Sequence, residues 1–348
     1  MHSLRSVIRT ALLVVITIII ATSCMHDSDE LIPLRVQVHG QSMSKLPFII
    51  AKDQNLYEKY GLNVELSITS PEFEDGKETT LPFPIRALRR LRLTSSPDVD
   101  IHVNGHTPTI VREVNSAIVP RQIALASTDC SVRYYVVVRP GIDSLEEIKG
   151  QRIGVNSPET TSGFAALLLI ERMGWDRQFD VSILLDGRGI ENLKQNQVDV
   201  IVGGDEAFEG AKLEGFNILE DTRTWGDTLA GNSVLVRPDW LEHGNNREAA
   251  KRFLQALIEA LSIFHENPEL TIDIANNWYG TPSREIAEGR YKRADYVPSM
   301  PYPCYQGIRN TIRLHDSHEM RKYNASYFYD DSLLRELETS GFIGSLSR

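Results

Sequence analysis

Residues 143–221 alternate between short apolar runs and amphipathic stretches, and this pattern predicts the fold. The runs at 152–155, 181–185 and 198–202 have the length and composition of buried strands. Strands that alternate with helices at this spacing form βαβ units and a parallel sheet. Ligands bind beyond the carboxyl ends of such strands, so the polar loops at those ends are the candidate site.

The same alternation continues through the rest of the chain and predicts an α/β protein. Further strands are predicted at 34–38, 62–68, 99–103, 123–126, 134–138, 217–219 and 231–236. Helices are predicted at 47–57, 164–170, 190–197 and 247–264. For the last of these helices, Asn245 and Glu248 have the spacing of a capping box, and Asn267-Pro268 predicts its end.

Residues 85–93 place apolar side chains three apart, which predicts an amphipathic helix. The positions between them hold Arg86, Arg89, Arg90 and Arg92. A solvated basic face is the simpler interpretation of these arginines, and an arginine that faces a ligand is the alternative.

The composition is that of a globular protein large enough for two domains. The chain has 348 residues, of which 41% are hydrophobic and 24% are charged. Its formal net charge is −10. Such an acidic chain is poorly suited to bind nucleic acid or an anionic membrane surface, so we expect no nucleic acid among its partners.

The N-terminus has the features of an export signal. Arg5 and Arg9 precede an apolar run at 11–20, and small residues then lead to Cys24. The small residues before the cysteine resemble a bacterial lipobox, although Ala21 stands where leucine is commoner.

We therefore predict an exported lipoprotein, anchored to a membrane in the periplasm or at the cell surface. The signal peptide is expected at 1–23, lipidation at Cys24, and a flexible tether at 24–32. A plain signal peptide and an uncleaved anchor are the alternatives.

The remaining cysteines are Cys130 and Cys304. They can pair outside the cytosol, but their distant positions do not show proximity, so a disulfide and two buried thiols both stay open. No spacing typical of a metal site links them. His315 and His318 are three positions apart, whereas a zincin motif needs four, so we predict a solvated helix there and neither metal nor cofactor.

Polar residues follow several predicted strands and form the candidate ligand site. They are Gln41, Ser42, Asn104, His106, Thr160, Thr161, Ser162, Asp205 and Glu206. An anionic ligand group is expected at the helix start beside Thr161, where free N–H groups and hydroxyls meet. A donor group of the ligand is expected to face Asp205 or Glu206. The alternatives are that Ser162 caps its helix and that the two acids are solvated loop charges.

Several stretches resemble the solute-binding proteins of nitrate, sulfonate, taurine and thiamine-pyrimidine importers. They are residues 47–66, 144–155 with 160–163, 196–200 and 329–334. The resemblance covers nearly all of the chain after the predicted signal. It implies a two-lobed, type II periplasmic-binding-protein fold. Each lobe then has a mixed, mostly parallel sheet flanked by helices, and two crossing strands join the lobes around a ligand cleft.

The resemblance also implies how the chain is divided and what it does. Lobe 1 would comprise 33–127 and 228–348, and lobe 2 would comprise 128–227. The protein would be a monomer without catalytic residues. It would capture a small polar solute, sulfonate-, amine- or pyrimidine-like, and deliver it to the permease and ATPase of an ABC importer.

Two loops depart from the family pattern, so the identity of the solute does not carry over. Residues 70–84 form a longer and more acidic loop than is usual, and 203–208 stand where members often have aromatic residues. An enzyme of the same fold, such as a decarboxylase or a thiamine-pyrimidine synthase, is an alternative. The missing cysteine cluster and the export signal argue against it. A ligand-sensing subunit with the same lobes is a further alternative.

Overall fold

The computed structural model describes residues 31–69, 99–279, 281 and 283–346. The predicted signal peptide, Cys24, the loop at 70–84 and the basic helix at 85–93 lie outside these residues. Among the helices that the structure describes, none has both the length and the apolar character needed to cross a membrane.

The first sheet consists of β1 (Ile32–His39), β2 (Leu62–Thr69), β3 (Ile101–Gly105), β4 (Ile123–Ser127) and β10 (Asn232–Val236). Their order across the sheet is β2-β1-β3-β10-β4. Strand β1 is parallel to both of its neighbours, whereas β10 is antiparallel to both of its own. In β1, Leu34, Val36 and Val38 are buried in alternation with more exposed residues, which is the pattern of a strand with one face on the core.

The second sheet consists of β5 (Tyr135–Val138), β6 (Arg152–Gly154), β7 (Ser182–Leu184), β8 (Val200–Gly203) and β9 (Asn217–Asp221). Their order is β7-β6-β8-β5-β9. Strand β6 is parallel to β7 and β8, and β5 is antiparallel to β8 and β9. Two mixed sheets with intervening helices confirm the predicted fold class. We call the part built around the first sheet lobe 1 and the part built around the second sheet lobe 2.

Most helices belong to lobe 1. They are α1 (Leu46–Asp53), α2 (Leu56–Lys59), α3 (His106–Asn115), α7 (Pro238–Leu241), α8 (Asn246–Glu266), α9 (Pro268–Tyr279), α10 (Arg284–Lys292), α12 (Ser332–Thr339) and α13 (Phe342–Leu346). Lobe 2 contains α4 (Thr161–Arg172), α5 (Ile190–Lys194) and α6 (Asp205–Glu214). Helix α11 (Tyr305–His315) comes late in the chain but packs on α4, and its buried Ile308 and Leu314 belong to the core of lobe 2. Helix α8 anchors the core of lobe 1, because Phe253 stacks on Phe48 at 6.0 Å and on Tyr57 at 5.4 Å between ring centroids.

Two local predictions about helices were wrong. The single helix expected at 47–57 is interrupted at Asn55, which has a φ of 54°, a backbone region that asparagine tolerates better than most residues. The capping box expected before α8 does not form. Asn245 is the N-cap but makes no capping hydrogen bond, and Glu248 instead accepts a hydrogen bond from Arg252 Nε at 2.8 Å.

Two segments, 128–134 and 222–231, connect the lobes and run side by side. Ser131 and Thr228 form an antiparallel bridge, and Leu229 N donates to Cys130 O at 3.2 Å. The segments approach so closely at Gly231 that a Cβ there would lie 2.3 Å from Asp129 O, so only glycine fits. Two short adjacent segments between domains are able to act as a hinge, because a few residues in them can absorb the change in backbone angles.

Cys130 and Cys304 form a disulfide with a Cα–Cα distance of 5.5 Å, which decides between the two alternatives left open by the sequence. The bond joins the first connecting segment to the residue that precedes α11. Helix α11 also packs on the second segment, since a Cβ at Gly307 would lie 2.4 Å from the carbonyl carbon of Leu229. The hinge is therefore attached on one side to α11, whose buried residues pack with the core of lobe 2.

Candidate functional site

A cleft of about 420 Å³ is lined by residues of both lobes. Gln41 and Ser42 come from the loop that follows β1 in lobe 1, and Gly203 and Gly204 follow β8 in lobe 2. The carboxyl ends of one strand from each sheet therefore meet at this cleft, which is where α/β proteins of this kind bind their ligands.

The lobe 1 wall is a hydrogen-bonded network of small polar groups. Asn232 Nδ2 donates to Ser44 Oγ at 2.5 Å and to Ser42 Oγ at 3.3 Å, and the two hydroxyl oxygens are 3.0 Å apart. The Tyr279 hydroxyl donates to Ser42 O at 3.2 Å. By contrast, Gln41 Nε2 is buried and has no hydrogen-bond partner among the described residues. That amide is the donor on this wall that is free for a ligand.

Arg133, from the first connecting segment, lines the cleft and is held in a defined orientation. Its Nε donates to Asp129 Oδ2 at 2.6 Å, and its guanidinium lies 4.8 Å from the centroid of the Tyr296 ring. Burial acts to lower the pKa of Arg133, but Tyr296 and Asp129 keep it above the ordinary value, so the group stays charged. Neither terminal nitrogen has a hydrogen-bond partner within the described residues, which leaves the guanidinium fork available to an oxyanion.

Lys45 lies behind the loop after β1 and adds a second buried cation. Its ammonium donates to His39 O. Burial and the neighbouring Arg133 lower the pKa of Lys45 to about 7, and Asp129 partly offsets this effect. Asp129 pairs directly with Arg133 and not with Lys45, so this side of the cleft carries an additional positive charge whenever Lys45 is protonated.

The lobe 2 wall contains Tyr134, Arg188 and the first turn of α6. The side chains of Arg188 and Glu206 are exposed, and neither makes a hydrogen bond or ion pair within the part of the chain that the structure describes. Strand β8 can turn directly into α6 because Gly203 has no side chain. A Cβ at this position would lie only 2.5 Å from Ala207 Cβ. This turn brings the acidic first residues of α6 to the cleft.

Ion pairs bridge the two lobes beside the cleft. Arg290 on α10 donates from Nε and Nη2 to the two carboxylate oxygens of Glu209 on α6, at 2.9 and 2.8 Å. Arg293 lies 3.0 Å from Asp205 Oδ1 and 3.2 Å from Glu209 Oε1. Asp205 lines the cleft, but its carboxylate already forms an ion pair with Arg293 of lobe 1.

Of the predicted lobe 1 residues, Gln41 and Ser42 line the cleft, whereas Asn104 and His106 do not. Asn104 Oδ1 turns back to accept a hydrogen bond from Gly105 N at 2.8 Å. His106 is fully buried at the start of α3, where its backbone N–H donates to Gly231 O at 2.8 Å. Burial lowers the pKa of His106 to about 3, so the ring is neutral.

Of the predicted lobe 2 residues, Asp205 and Glu206 line the cleft, whereas Thr160, Thr161 and Ser162 do not. Thr160 Oγ1 donates to Ser157 O at 2.7 Å. Ser162 lies inside α4, and its hydroxyl accepts a hydrogen bond from Asn156 N at 3.1 Å. The expectation that Ser162 caps the helix is therefore corrected: its hydroxyl instead fixes the preceding loop.

The residues at the cleft that the sequence did not predict include several cations. Arg133 directly precedes a predicted strand, and Arg188 lies in a turn between predicted elements, so neither had a periodic pattern to mark it. Arg290 lies in the last turn of α10 and Arg293 is its C-cap, three positions farther on, so the two side chains extend to the same side. That spacing predicts that the two arginines lie together, but it does not predict which part of the protein they contact.

Comparisons with known proteins agree with this architecture. Residues 121–271 match the family model described as NMT1/THI5 like. The structure resembles the periplasmic nitrate-binding protein NrtA from Synechocystis PCC 6803, with a TM-score of 0.65 and 16% identity over 89% of each chain. It also resembles the periplasmic aliphatic sulphonate binding protein SsuA from Escherichia coli. That match has a TM-score of 0.60 and 15% identity, and covers 82% of this chain and 85% of SsuA.

The chain has the periplasmic-binding-protein fold. The resemblance that the sequence motifs indicated is thus confirmed by the family model and by these structures. The desulfurization enzyme DSZB has a similar structure too, with a TM-score of 0.62 and 14% identity over 88% of this chain and 99% of the enzyme. No curated protein sequence matches this chain. At these identities the structural likeness establishes the fold, and the function has to be argued from the cleft.

Proposed function

We propose that this protein is an extracytoplasmic solute-binding protein that captures a small polar solute between its lobes and delivers it to the permease of an ABC importer. The observation that supports this proposal is the cleft of about 420 Å³, lined by polar groups from both lobes. Two connecting segments behind it allow the lobes to close on a ligand, because ligand contacts to both lobes exist only when they are close.

The free groups of the cleft favour a solute with an anionic head. The terminal nitrogens of Arg133 and the Gln41 amide are unsatisfied donors, and Arg188 stands across from them on lobe 2. A sulfonate or carboxylate fits the guanidinium fork of Arg133 through two hydrogen bonds. The names of the similar SsuA and NrtA, which bind sulphonate and nitrate, agree with this chemistry. The anion would then sit at Arg133 rather than at the helix start beside Thr161.

The opposite end of the solute is proposed to carry a hydrogen-bond donor, such as an amine. Glu206 is the cleft acid without an ion-pair partner in the described residues, whereas Asp205 is paired with Arg293. A carboxylate at the far end of a cleft from a guanidinium selects a dipolar molecule over a simple anion. Gln41, Ser42, Arg133, Arg188 and Glu206 therefore form the proposed ligand site.

Delivery requires that the protein stays near its permease. The lipobox-like sequence ending at Cys24 supports a lipid anchor on the outer face of a membrane. The second candidate function is an enzyme, since DSZB has a similar structure. A thiolate mechanism would lack its nucleophile among the described residues, because Cys130 and Cys304 are joined in a disulfide. Solute binding is therefore the function that we propose.

Native mass spectrometry of the gently purified protein, followed by calorimetry with the molecule found, tests the proposal. We expect one solute per chain, with an acidic group and a mass suited to the cleft. Arg133→Gln should weaken its binding by about ten- to hundredfold, the loss expected for a hydrogen bond between charged groups. Arg313→Gln removes an exposed ion pair with Glu171 outside the cleft and is the matched control. Turnover of the solute, or equal binding by both variants, would refute the proposal.

A further inference from the structure

Arg290 on α10, Arg293 directly after α10 and two acids of α6 join the lobes beside the cleft. We propose that Arg290, Arg293, Asp205 and Glu209 form an inter-lobe clamp, which sets the equilibrium between an open and a closed cleft independently of the solute. The clamp goes beyond the proposed function, because it concerns the motion of the lobes and not the identity of the ligand.

The two helices belong to different lobes, as their packing shows. Helix α10 is fixed to lobe 1, where Tyr291 packs against the core and its hydroxyl donates to Phe264 O at 3.0 Å. Helix α6 is fixed to lobe 2, where Ala207 and Ala211 pack with Tyr135 of β5. The ion pairs between the helices are therefore made when the lobes approach and are broken when they separate.

The clamp follows from helical spacing. Asp205 and Glu209 are four positions apart on α6, so their carboxylates lie on one face of that helix. Phe208 lies between them in sequence, and Arg293 approaches its ring to 4.6 Å from the centroid. The planar arginine thus contacts an aromatic ring and two carboxylates at once, a combination that a lysine would not reproduce.

The environment of the clamp makes its charges effective. The four side chains retain between 19% and 25% of their exposure, so they are more shielded than ordinary surface pairs. Arg290 and Glu209 also form a bidentate pair, the geometry in which an arginine–carboxylate interaction is strongest. Single exposed pairs contribute little, but a connected set of partly buried charges has a larger effect.

The clamp is also attached to the hinge. Arg223, in the second connecting segment, contacts both oxygens of Asp221 and donates from Nη1 to Arg293 O at 3.2 Å. The residue that caps the C-terminal end of α10, Arg293, is thereby bound to the segment about which the lobes would rotate. A small rotation there would be enough to separate the charges farther along the cleft.

The assignment changes the role of Asp205. The sequence suggested that this acid contacts the ligand, whereas the structure pairs it with Arg293. In the clamp, Asp205 affects ligand retention by holding the lobes together. Its loss should accelerate solute dissociation and leave the association rate nearly unchanged, because an open cleft admits the solute as readily.

The distance between spin labels on the two lobes, measured by pulsed electron paramagnetic resonance on the full chain in detergent, tests the clamp. Labels introduced as a non-canonical amino acid at Leu213 in lobe 2 and Glu285 in lobe 1 avoid the native cysteines, and both positions are exposed. Glu209→Gln should raise the open-to-closed ratio about tenfold in the absence of any solute. Arg290→Glu should open the cleft further, since it places two acids opposite each other.

Two controls make the result specific. Arg284→Gln removes ion pairs of the same helix α10 that stay within lobe 1, to Glu269, Asp273 and Glu288, and should leave the distances unchanged. The exchange Arg290→Glu with Glu209→Arg should return the ratio to within about threefold of the original, because the pair is restored with reversed sign. Unchanged distances in Glu209→Gln, or a double exchange as open as its single variants, would overturn the proposal. The measurement is made on protein from which dialysis has removed any co-purified solute, as checked by native mass spectrometry, so neither result depends on whether the proposed function is correct.

Discussion

Arg133 and Asp129 form an ion pair within the first connecting segment, with Nε 2.6 Å from Oδ2. The bond fixes one edge of the guanidinium of this cleft-lining residue, which restricts the directions in which its two terminal nitrogens can point. Asp129 itself is almost fully buried. A rigid donor pair of this kind recognises an oxyanion at a smaller entropic cost than a mobile lysine would.

Removing the orienting carboxylate should weaken solute binding without removing the cation. In Asp129→Asn we expect the affinity for an acidic solute to fall by about tenfold, because the Arg133 fork loses its fixed direction. Calorimetry measures this effect. Asp199→Asn is the matched control, since Asp199 holds Arg139 and Arg152 in lobe 2 away from the cleft. If the two variants lost affinity equally, the orienting role of Asp129 would be contradicted.

The buried Lys45 should make the free energy of unfolding depend on pH between about 7 and 10.5. Its pKa is about 7 in the folded protein and 10.5 in an unfolded chain, so between these values the unfolded state holds a proton that the folded state lacks. The free energy of unfolding should therefore rise with pH across this window, by at most about 1.4 kcal/mol per pH unit from this group. The groups that face Lys45 are His39, Asp129 and Arg133.

Urea unfolding of the native protein and of Lys45→Met at several values between pH 7 and 10 measures the contribution of Lys45 to the pH dependence of stability. Glu113 has a raised pKa of about 8 and acts in the opposite direction, so the comparison has to be a difference between the two proteins. We expect Lys45→Met to be the more stable protein at pH 7 and to lose this advantage towards pH 10. A difference that does not change with pH would show that Lys45 keeps its ordinary pKa.

Acid should destabilise the protein through its buried histidines. Burial lowers the pKa of His106 to about 3 and that of His102 to about 4, against 6.5 in an unfolded chain. Below pH 6.5 these histidines bind protons in the unfolded state but not in the folded state. The free energy of unfolding therefore falls as the pH falls. Neither ring nitrogen of His106 has a hydrogen-bond partner among the described residues.

Replacing His106 by leucine should therefore remove no hydrogen bond and should reduce the sensitivity to acid. We expect His106→Leu to be nearly as stable as the native protein at pH 8 and more stable at pH 5. Chemical unfolding at the two values measures both effects. Loss of solute binding by this variant, with its stability intact, would instead support the ligand-binding role expected from the sequence.

The disulfide should contribute strongly to stability because it fixes the first connecting segment to the start of α11. Replacing both Cys130 and Cys304 by alanine should lower the free energy of unfolding by about 2–5 kcal/mol. Denaturant unfolding with and without a reducing agent measures this difference. The reductant should destabilise the native protein and leave the double variant unaffected. Equal stability of the two proteins under oxidising conditions would mean that the bond does not form in solution.

The fold could be predicted from the sequence because its signals are local. Apolar runs of strand length lie at the positions of the ten strands that the structure describes, and the βαβ order of 152–203 predicts a parallel arrangement. The capping interaction at the start of α8 was predicted wrongly from the sequence. Glu248 had the spacing for a capping box, but its carboxylate has a competing cation, Arg252, one turn along the helix.

The site could be predicted only in part, for a geometric reason. Gln41, Ser42 and Glu206 line the cleft because they follow strand ends, which the sequence locates. Arg133 comes from the hinge and Arg290 from a helix distant in sequence, so their presence at the cleft depends on how the lobes lie together. The pairing of Arg293 with Asp205 depends on the same arrangement. Contacts between lobes leave no periodic pattern in either segment.

The most direct test of the account is a crystal structure of the protein with its co-purified solute. The account predicts electron density in the cleft, with an acidic group bonded to the terminal nitrogens of Arg133 and a donor group facing Glu206. Ion pairs from Arg290 and Arg293 to α6 should be retained in that complex. Density for the solute elsewhere, such as the cavity of about 150 Å³ beside Glu113 and Tyr327, would contradict the central claim.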